Sequence, residues 1–174
     1  MLQTDRLILR QWTDNDKDLF FKLHSDPEVM EYFPAKFSKQ ESDAMFAKVN
    51  SLTSNRGWGL WACEIKSSGD FIGYIGLHKP ELGLPFEPCV EVGWLLAREY
   101  WGQGFATEAA KACVEYGFNS LNLAEIVSFT SVKNHRSIAV MKRIGMVDTK
   151  QNFFHPKVEV GHLKEHVLYK IFKK

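Results

Sequence analysis

The segment Glu99-Tyr-Trp-Gly-Gln-Gly-Phe-Ala-Thr-Glu-Ala109 sets two glycines between an apolar run and the start of a helical pattern. Glycine reaches backbone conformations closed to other residues and lets a ligand approach the main chain. The first amides of a helix are unpaired donors at the positive end of its dipole, so this combination suits a phosphate or pyrophosphate. A Walker A loop is excluded, because no G-x-x-x-x-G-K-[ST] is present. A dinucleotide fingerprint fits poorly. Thr107 stands where its third glycine belongs, and the downstream acidic residue, Glu125, precedes a strand instead of ending one. A tight strand-to-helix turn that binds nothing is the plain alternative.

A second candidate lies just upstream. In residues 89–96, Cys89, Glu91, Gly93 and Leu95 alternate with Val90, Val92, Trp94 and Leu96, and both faces are largely apolar. That is the pattern of a central strand, on which a carboxylate is out of place. Burial raises a carboxylate's proton affinity toward that of a useful base, so Glu91 is a candidate general base. A cross-strand ion pair or a water-facing position is the structural alternative. Gly93 reads as a bulge or a close approach, with room for Trp58 or Trp61 as the plain explanation. Asn134 stands before a helical pattern and reads as an N-cap. His155, His162 and His166 raise the question of a metal. Residues 162 and 166 would lie about 13 Å apart on a strand and no cysteine is near, so no metal site is expected. Met30, Tyr32, Phe33 and Trp58 would line an aromatic acceptor pocket if the early helices fold over the sheet edge; otherwise they are core. His78, at the end of a strand, and His155, beside Pro156, are placed on the same acceptor side.

These residues need a scaffold. Alternation over Arg6–Trp12 predicts a first strand, and the capping-box form of Thr13–Asp16 with Leu19, Phe20 and Leu23 predicts a helix. Asp26-Pro27 predicts a short helical piece. Ser38–Glu41 is a second capping box, ahead of Met45, Phe46, Val49 and Leu52 at helical spacing. Residues 59–66, 71–78 and 89–96 read as an antiparallel meander, since their connections are too short for crossover helices. A helix from Phe105, a strand over 126–132, a helix over 137–144 ended by Gly145 and a strand over 166–172 complete the chain. The expectation is a mixed α/β (α+β) fold with about seven strands and four helices, in a single domain spanning 1–174.

Length and composition agree. The 174 residues, 45% of them hydrophobic and 25% charged, fit one globular domain without low-complexity segments. A formal net charge of +1 argues against a dedicated nucleic-acid binder. Cys63, Cys89 and Cys113 form no CxxC pair, which favours a reducing compartment. No leader-like N-terminus and no apolar run of about 18 residues is present, so a cytoplasmic protein that does not insert into membranes is expected.

Tyr100-Trp-Gly-Gln-Gly-Phe-Ala-Thr-Glu-Ala109 resembles the acetyl-CoA pyrophosphate loop of the Gcn5-related N-acetyltransferase superfamily, and is most similar to its RimJ/RimL-like branch. The resemblance extends through Thr4-Asp-Arg-Leu-Ile-Leu-Arg10, Asp26-Pro-Glu-Val-Met30, Glu91-Val-Gly-Trp94, Asn134-His-Arg-Ser137, Arg143-Ile-Gly-Met146, Phe154-His-Pro156 and His166-Val-Leu-Tyr169. It implies that fold and an enzyme moving an acetyl group from acetyl-CoA to a primary amine. The acceptor would be a protein N-terminus, amino acid, polyamine or other small amine, and the protein a monomer or homodimer. It further implies a bulge at Gly93 and a V-shaped gap between strands 89–96 and 126–132. The co-substrate would lie against Gly93, Trp94, Leu95 and Leu96, against Trp101, Gly102, Gln103, Gly104, Phe105, Ala106 and Thr107, and against Asn134 and Met141. Glu91 would be the base. Ser137 would assist the departing thiolate, because Met141 stands where many relatives have an acidic tyrosine. The loop departs from Q/R-x-x-G-x-G/A at Glu99, which is expected to face solvent, with Arg98 or Lys111 compensating. A non-catalytic acyl-CoA-binding module and a nucleotide-dependent enzyme are the rival functions.

Overall fold

The computed structural model describes residues 1–159 and 161–174. Its strands are β1 (Leu2–Gln3), β2 (Leu7–Arg10), β3 (Leu60–Ile65), β4 (Phe71–His78), β5 (Glu91–Leu96), β6 (Glu125–Ser131), β7 (Val147–Asp148), β8 (Phe153–Phe154) and β9 (Glu165–Phe172). Four helices join them: α1 (Lys17–Ser25), α2 (Lys39–Arg56), α3 (Phe105–Asn119) and α4 (His135–Arg143). All nine strands form one sheet in the order β1-β2-β3-β4-β5-β6-β9-β7, with β8 added to β9. The six strands placed from the sequence are β2–β6 and β9, and the total passes the expected seven or so because β1, β7 and β8 are two-residue strands, too short to carry an alternation. Every pairing is antiparallel except β5 with β6.

Two apolar layers grip this sheet. On one face Ile75, Leu77, Val92 and Ile126 pack with Phe105, Ala109, Ala110 and Cys113 of α3 and with Met141 of α4. On the other, Tyr74, Ala62 and Leu95 pack with Trp12, Phe20 and Leu23 and with Phe46 and Val49 of α2. The β3–β4 register slips between Cys63 and Glu64, leaving Ile72 as an extra residue beside Gly73 at φ +138°. The slip turns Ile72 into the same layer as Ile75 and Leu77.

Local signals account for the helix ends. Ser38 and Glu41 form a reciprocal box, with Ser38 N–H donating to the Glu41 carboxylate (2.8 Å) and Glu41 N–H to Ser38 Oγ (3.2 Å). Gly57 at φ +73° closes α2, and Gly145 at φ +88° follows α4. Before α1 a single turn of 3₁₀ helix over Asp14–Asp16 intervenes. The Asp16 carboxylate there accepts from Thr13 N–H and from both terminal nitrogens of Arg10.

The helical piece expected at Asp26-Pro27 is instead a run of turns over 27–34. Asp26 does accept from the Glu28 and Val29 amides. Pro34, however, has no N–H to continue a ladder and disfavours helical geometry at Phe33.

Gly76 fixes how α2 returns to the sheet. A Cβ there would penetrate the Gly59 carbonyl oxygen and stand 2.8 Å from Leu60 Cα, both backbone atoms. Gly76→Ala is therefore expected to destabilise the fold by about 1–3 kcal/mol, read as a lowered urea midpoint with an unchanged slope.

Candidate active site

The β5–β6 pairing is confined to one register position, Glu91 opposite Val127, anchored by Val127 N–H donating to the Val90 carbonyl (2.9 Å). Beyond Glu91, among the described residues, β5 has no partner on that side. Since Val90 points its carbonyl at β6, alternation turns the backbone groups of Trp94 and Leu96 the same way, into the gap. Leu95 turns its backbone to Tyr74 of β4 and buries its side chain in the second apolar layer. This corrects the expectation that the co-substrate lies against Leu95. A second correction concerns Gly93. The β4–β5 register runs through it without a shift, so it marks no bulge. A Cβ at Gly93 would have only His78 Cε1 (3.8 Å) and Glu91 Oε1 (3.9 Å) within 4 Å, so the glycine leaves a dent floored by those two side chains.

The wide end of the gap is bordered by the loop between β5 and α3. Gly102 (φ +75°) and Gly104 (φ +82°) both lie in the left-handed region. No atom lies within 4 Å of a Cβ built at Gly102, so conformation, and not space, requires glycine there. Gly104 is the N-cap residue of α3 and brings no capping side chain, which leaves the amides of Phe105, Ala106 and Thr107 without a side-chain cap. Trp101 donates its indole N–H to the Leu96 carbonyl (2.8 Å), and Gln103 folds its amide onto the Glu99 carbonyl (2.9 Å). Glu99 is exposed, and Arg98 is engaged with Glu28 (2.6 Å) while Lys111 is exposed.

The loop has a brace that the sequence reading missed. Arg6 donates to the Gln103 carbonyl (3.0 Å) and to Glu108 (2.6 Å), and its guanidinium lies 4.4 Å from the Phe105 ring centroid. Glu108 also accepts from Thr4 Oγ1 (2.6 Å). In the sequence, Thr4–Arg10 stands out only through the family resemblance. The charge pattern alone gave no sign that Arg6 reaches a loop about a hundred residues away.

On the opposite wall Asn134 caps α4, accepting from Ser137 N–H (3.1 Å) while its amide donates to Thr130 Oγ1 (3.0 Å). Trp94 reaches across the gap to donate its indole N–H to Ser137 Oγ (3.3 Å). Arg136 pairs with Glu31 (2.6 Å) and lies over the Trp101 ring at 4.4 Å and the Tyr32 ring at 5.5 Å. Met141 is 1% exposed inside the main core, so its side chain offers no open surface to a ligand.

At the narrow end of the gap sits Glu91, 8% exposed. Its cross-strand neighbour is His78, with Nε2 3.2 Å from Glu91 Oε2. Burial pushes Glu91 well above the usual carboxylate range and pushes His78 down to about 4. The remaining acceptor-side residues are dispersed. Met30 is buried in the second apolar layer, Trp58 packs at the rim of the first, and Phe33 is 42% exposed. His155 joins an aromatic nest with Phe129, Phe153 and His166, all four within 6.3 Å centroid to centroid along its contacts. Among the described residues, no group of three or more His, Cys, Asp or Glu is placed to hold a metal ion, and no helix is long and apolar enough to cross a membrane.

Comparison with known proteins matches residues 6–147 to the acetyltransferase (GNAT) domain model. The chain is 34% identical to the uncharacterized protein YkkB of Bacillus subtilis, over 83% of this chain and 84% of that one. It is 31% identical to an Aspergillus fumigatus protein named FsC-acetyl coenzyme A-N(2)-transacetylase, over 94% of this chain and 74% of the relative. A crystal structure of a GNAT-family acetyltransferase from Bacillus anthracis superposes with a TM-score of 0.79 at 26% identity, covering 98% and 97% of the two chains.

The raised proton affinity of Glu91 has a consequence for stability. A carboxyl with a higher pKa folded than unfolded supports the fold only while protonated, and that support is lost as pH rises through the folded value. Glu91→Gln mimics the protonated form. Its melting temperature should match the wild type near pH 4 and exceed it at pH 8, by about 2–4 °C for each kcal/mol of relieved burial cost.

Proposed function

The chain belongs to the acetyltransferase (GNAT) family and transfers an acetyl group to an amine, and we propose that Glu91 is the general base of that reaction, working at the closed end of the β5–β6 gap. The observation that carries this reading is positional. The buried carboxylate stands at the last residue pair before the strands part, beside the dent over Gly93.

Members of the family use acetyl-CoA, which supplies an acetyl group as an activated thioester. The residues present fit such a molecule. The left-handed glycines 102 and 104, with the first amides of α3, offer donors to a pyrophosphate, and Arg6 holds that loop in shape. Trp94 and the N–H of Leu96 offer backbone groups to an amide-bearing arm, in the way an added strand would, while the Leu96 carbonyl is taken by Trp101. The Trp94 N–H is the donor assigned to the negative charge that develops on the carbonyl oxygen during transfer. Asn134 is assigned to the same arm through the second hydrogen of its side-chain amide, since Oδ1 takes the Ser137 N–H, the first amide hydrogen goes to Thr130, and its backbone groups pair with Ser131 and Ile138.

Glu91 removes the proton that the amine nitrogen loses as it bonds to carbon. Ser137 Oγ, already a hydrogen-bond acceptor from Trp94, turns its own hydroxyl hydrogen to the departing sulfur. A hydroxyl is a weak acid, so Ser137 assists by hydrogen bonding and water completes the protonation. Most of the acceleration comes from holding amine and acyl group together in a site of fixed dipoles. The acceptor is a primary amine reached past His78 and the aromatic nest. The order of motifs supports a place in the RimJ/RimL-like branch.

A coupled assay of thiol release over a panel of N-terminal peptides, amino acids and polyamines tests the reading. Glu91→Gln should lower kcat by about 10²–10⁴-fold while calorimetric CoA affinity stays within about twofold. A variant with undiminished turnover contradicts the assignment of the base.

A further inference from the structure

His78 is the one polar partner of the Glu91 carboxylate among the described residues, and only one of its two ring nitrogens has a partner at all. Nε2 meets Glu91 Oε2 at 3.2 Å, whereas Nδ1 is buried with no hydrogen-bond partner. The ring as a whole is not sealed, with 34% of the side chain exposed against 10% for Glu91. A buried N–H without an acceptor costs a full desolvation penalty, so the unpartnered Nδ1 disfavours every state that places hydrogen there. That disfavours the imidazolium and the Nδ1–H tautomer. The arrangement favoured is a neutral ring with its hydrogen on Nε2, directed at the Glu91 carboxyl 3.2 Å away. The charges around the pair agree. Lys48 and Arg56 of α2 act against an imidazolium, and from β4 and the approach to β5 only Tyr74 and Cys89, both neutral groups pushed upward by burial, feel the Glu91 charge.

We infer that His78 is a positioning residue for the base: its Nε2–H holds Oε2 of Glu91, leaves Oε1 facing the dent over Gly93, and favours the carboxylate form that accepts a proton over what burial alone would leave. The inference rests on the reading of Glu91 as the base. It adds that β4 supplies a donor aimed at the charged form, acting against the burial that favours the neutral one. Proton balance is simple. One N–H bond of the amine breaks, the proton goes to Oε1, and His78 keeps its own hydrogen throughout.

The test compares pH profiles of kcat/KM for wild type, His78→Ala and His78→Gln. Without the donor, the acid limb in His78→Ala should move up by about one pH unit, a roughly tenfold loss at neutral pH that is recovered at alkaline pH. The KM for acetyl-CoA should stay unchanged. His78→Gln, which keeps an N–H donor but cannot titrate, should restore most of the wild-type limb. An unmoved acid limb in His78→Ala overturns the proposal. Imidazole ¹⁵N shifts in the wild type give an independent reading that needs no variant: hydrogen on Nε2 at neutral pH supports it, and hydrogen on Nδ1 overturns it. If Glu91→Gln keeps full turnover, the base assignment itself has failed, an outcome separate from either result for His78.

Discussion

A parallel pair of strands can share a ladder only as long as their directions agree, and β5 and β6 agree for a single residue pair. Past Glu91 and Val127 the main chain of β5 carries polar groups that the sheet does not satisfy. Unpaired backbone groups inside a fold need partners, and this edge therefore stands ready for a ligand with amides of its own. Everything else in the molecule either maintains the divergence or uses it. Helix α3 connects the two strands and packs on the face they share with β4, so the crossover holds both ends of the gap in place. On the far side Trp12, Phe20, Tyr74 and Phe46 pack edge to face and around one another, with centroids 5.4–6.0 Å apart, and keep β4 and β5 flat against α1 and α2.

Function follows from the order of chemistry along this gap. The loop glycines and the first amides of α3 stand at the wide end and the turned-in groups of Trp94 and Leu96 along the middle. Asn134 and Ser137 form the opposite wall, and the buried carboxylate closes the narrow end. Each wall is stiffened from outside the site. Arg6 joins the loop to the N-terminal strand through Gln103 and Glu108, and Arg136 joins α4 to Glu31 and Trp101. These ion pairs are partly exposed and individually contribute little to stability. Their effect is geometric, since they hold the two walls in a fixed relation.

Much of this was legible in the amino-acid sequence. The glycine loop, the Ser38–Glu41 box, the 59–96 meander and Gly145 as a helix stop are local signals, and local signals survive folding. The oddity of Glu91 on an apolar strand was also visible, because burial of a carboxylate is a contradiction that a sequence displays. Its partner was not. His78 meets Glu91 through a register set across the long connection between β4 and β5, and no spacing rule fixes that register. Arg6 on Gln103 is a tertiary contact of the same kind. The turns at 27–34 depart from the expected helix because Asp26-Pro27 is a sound helix start, and the stop that overrides it, Pro34, lies about two helical turns downstream. For Gly93 the type alone leaves a bulge, a close approach or room for a bulky neighbour open, and the unbroken β4–β5 register removes the bulge, the glycine serving the strand by leaving space over it.

The account stands on the claim that the open edge of β5 and the α3 loop together receive a CoA molecule. Backbone amide chemical shifts recorded while CoA is titrated into the ¹⁵N-labelled protein test it most directly. The account predicts saturable shifts concentrated at Trp94 and Leu96 and at residues 102–107, with β1, β7 and the exposed face of α2 unmoved. Shifts that map elsewhere, or a spectrum indifferent to CoA, would contradict it.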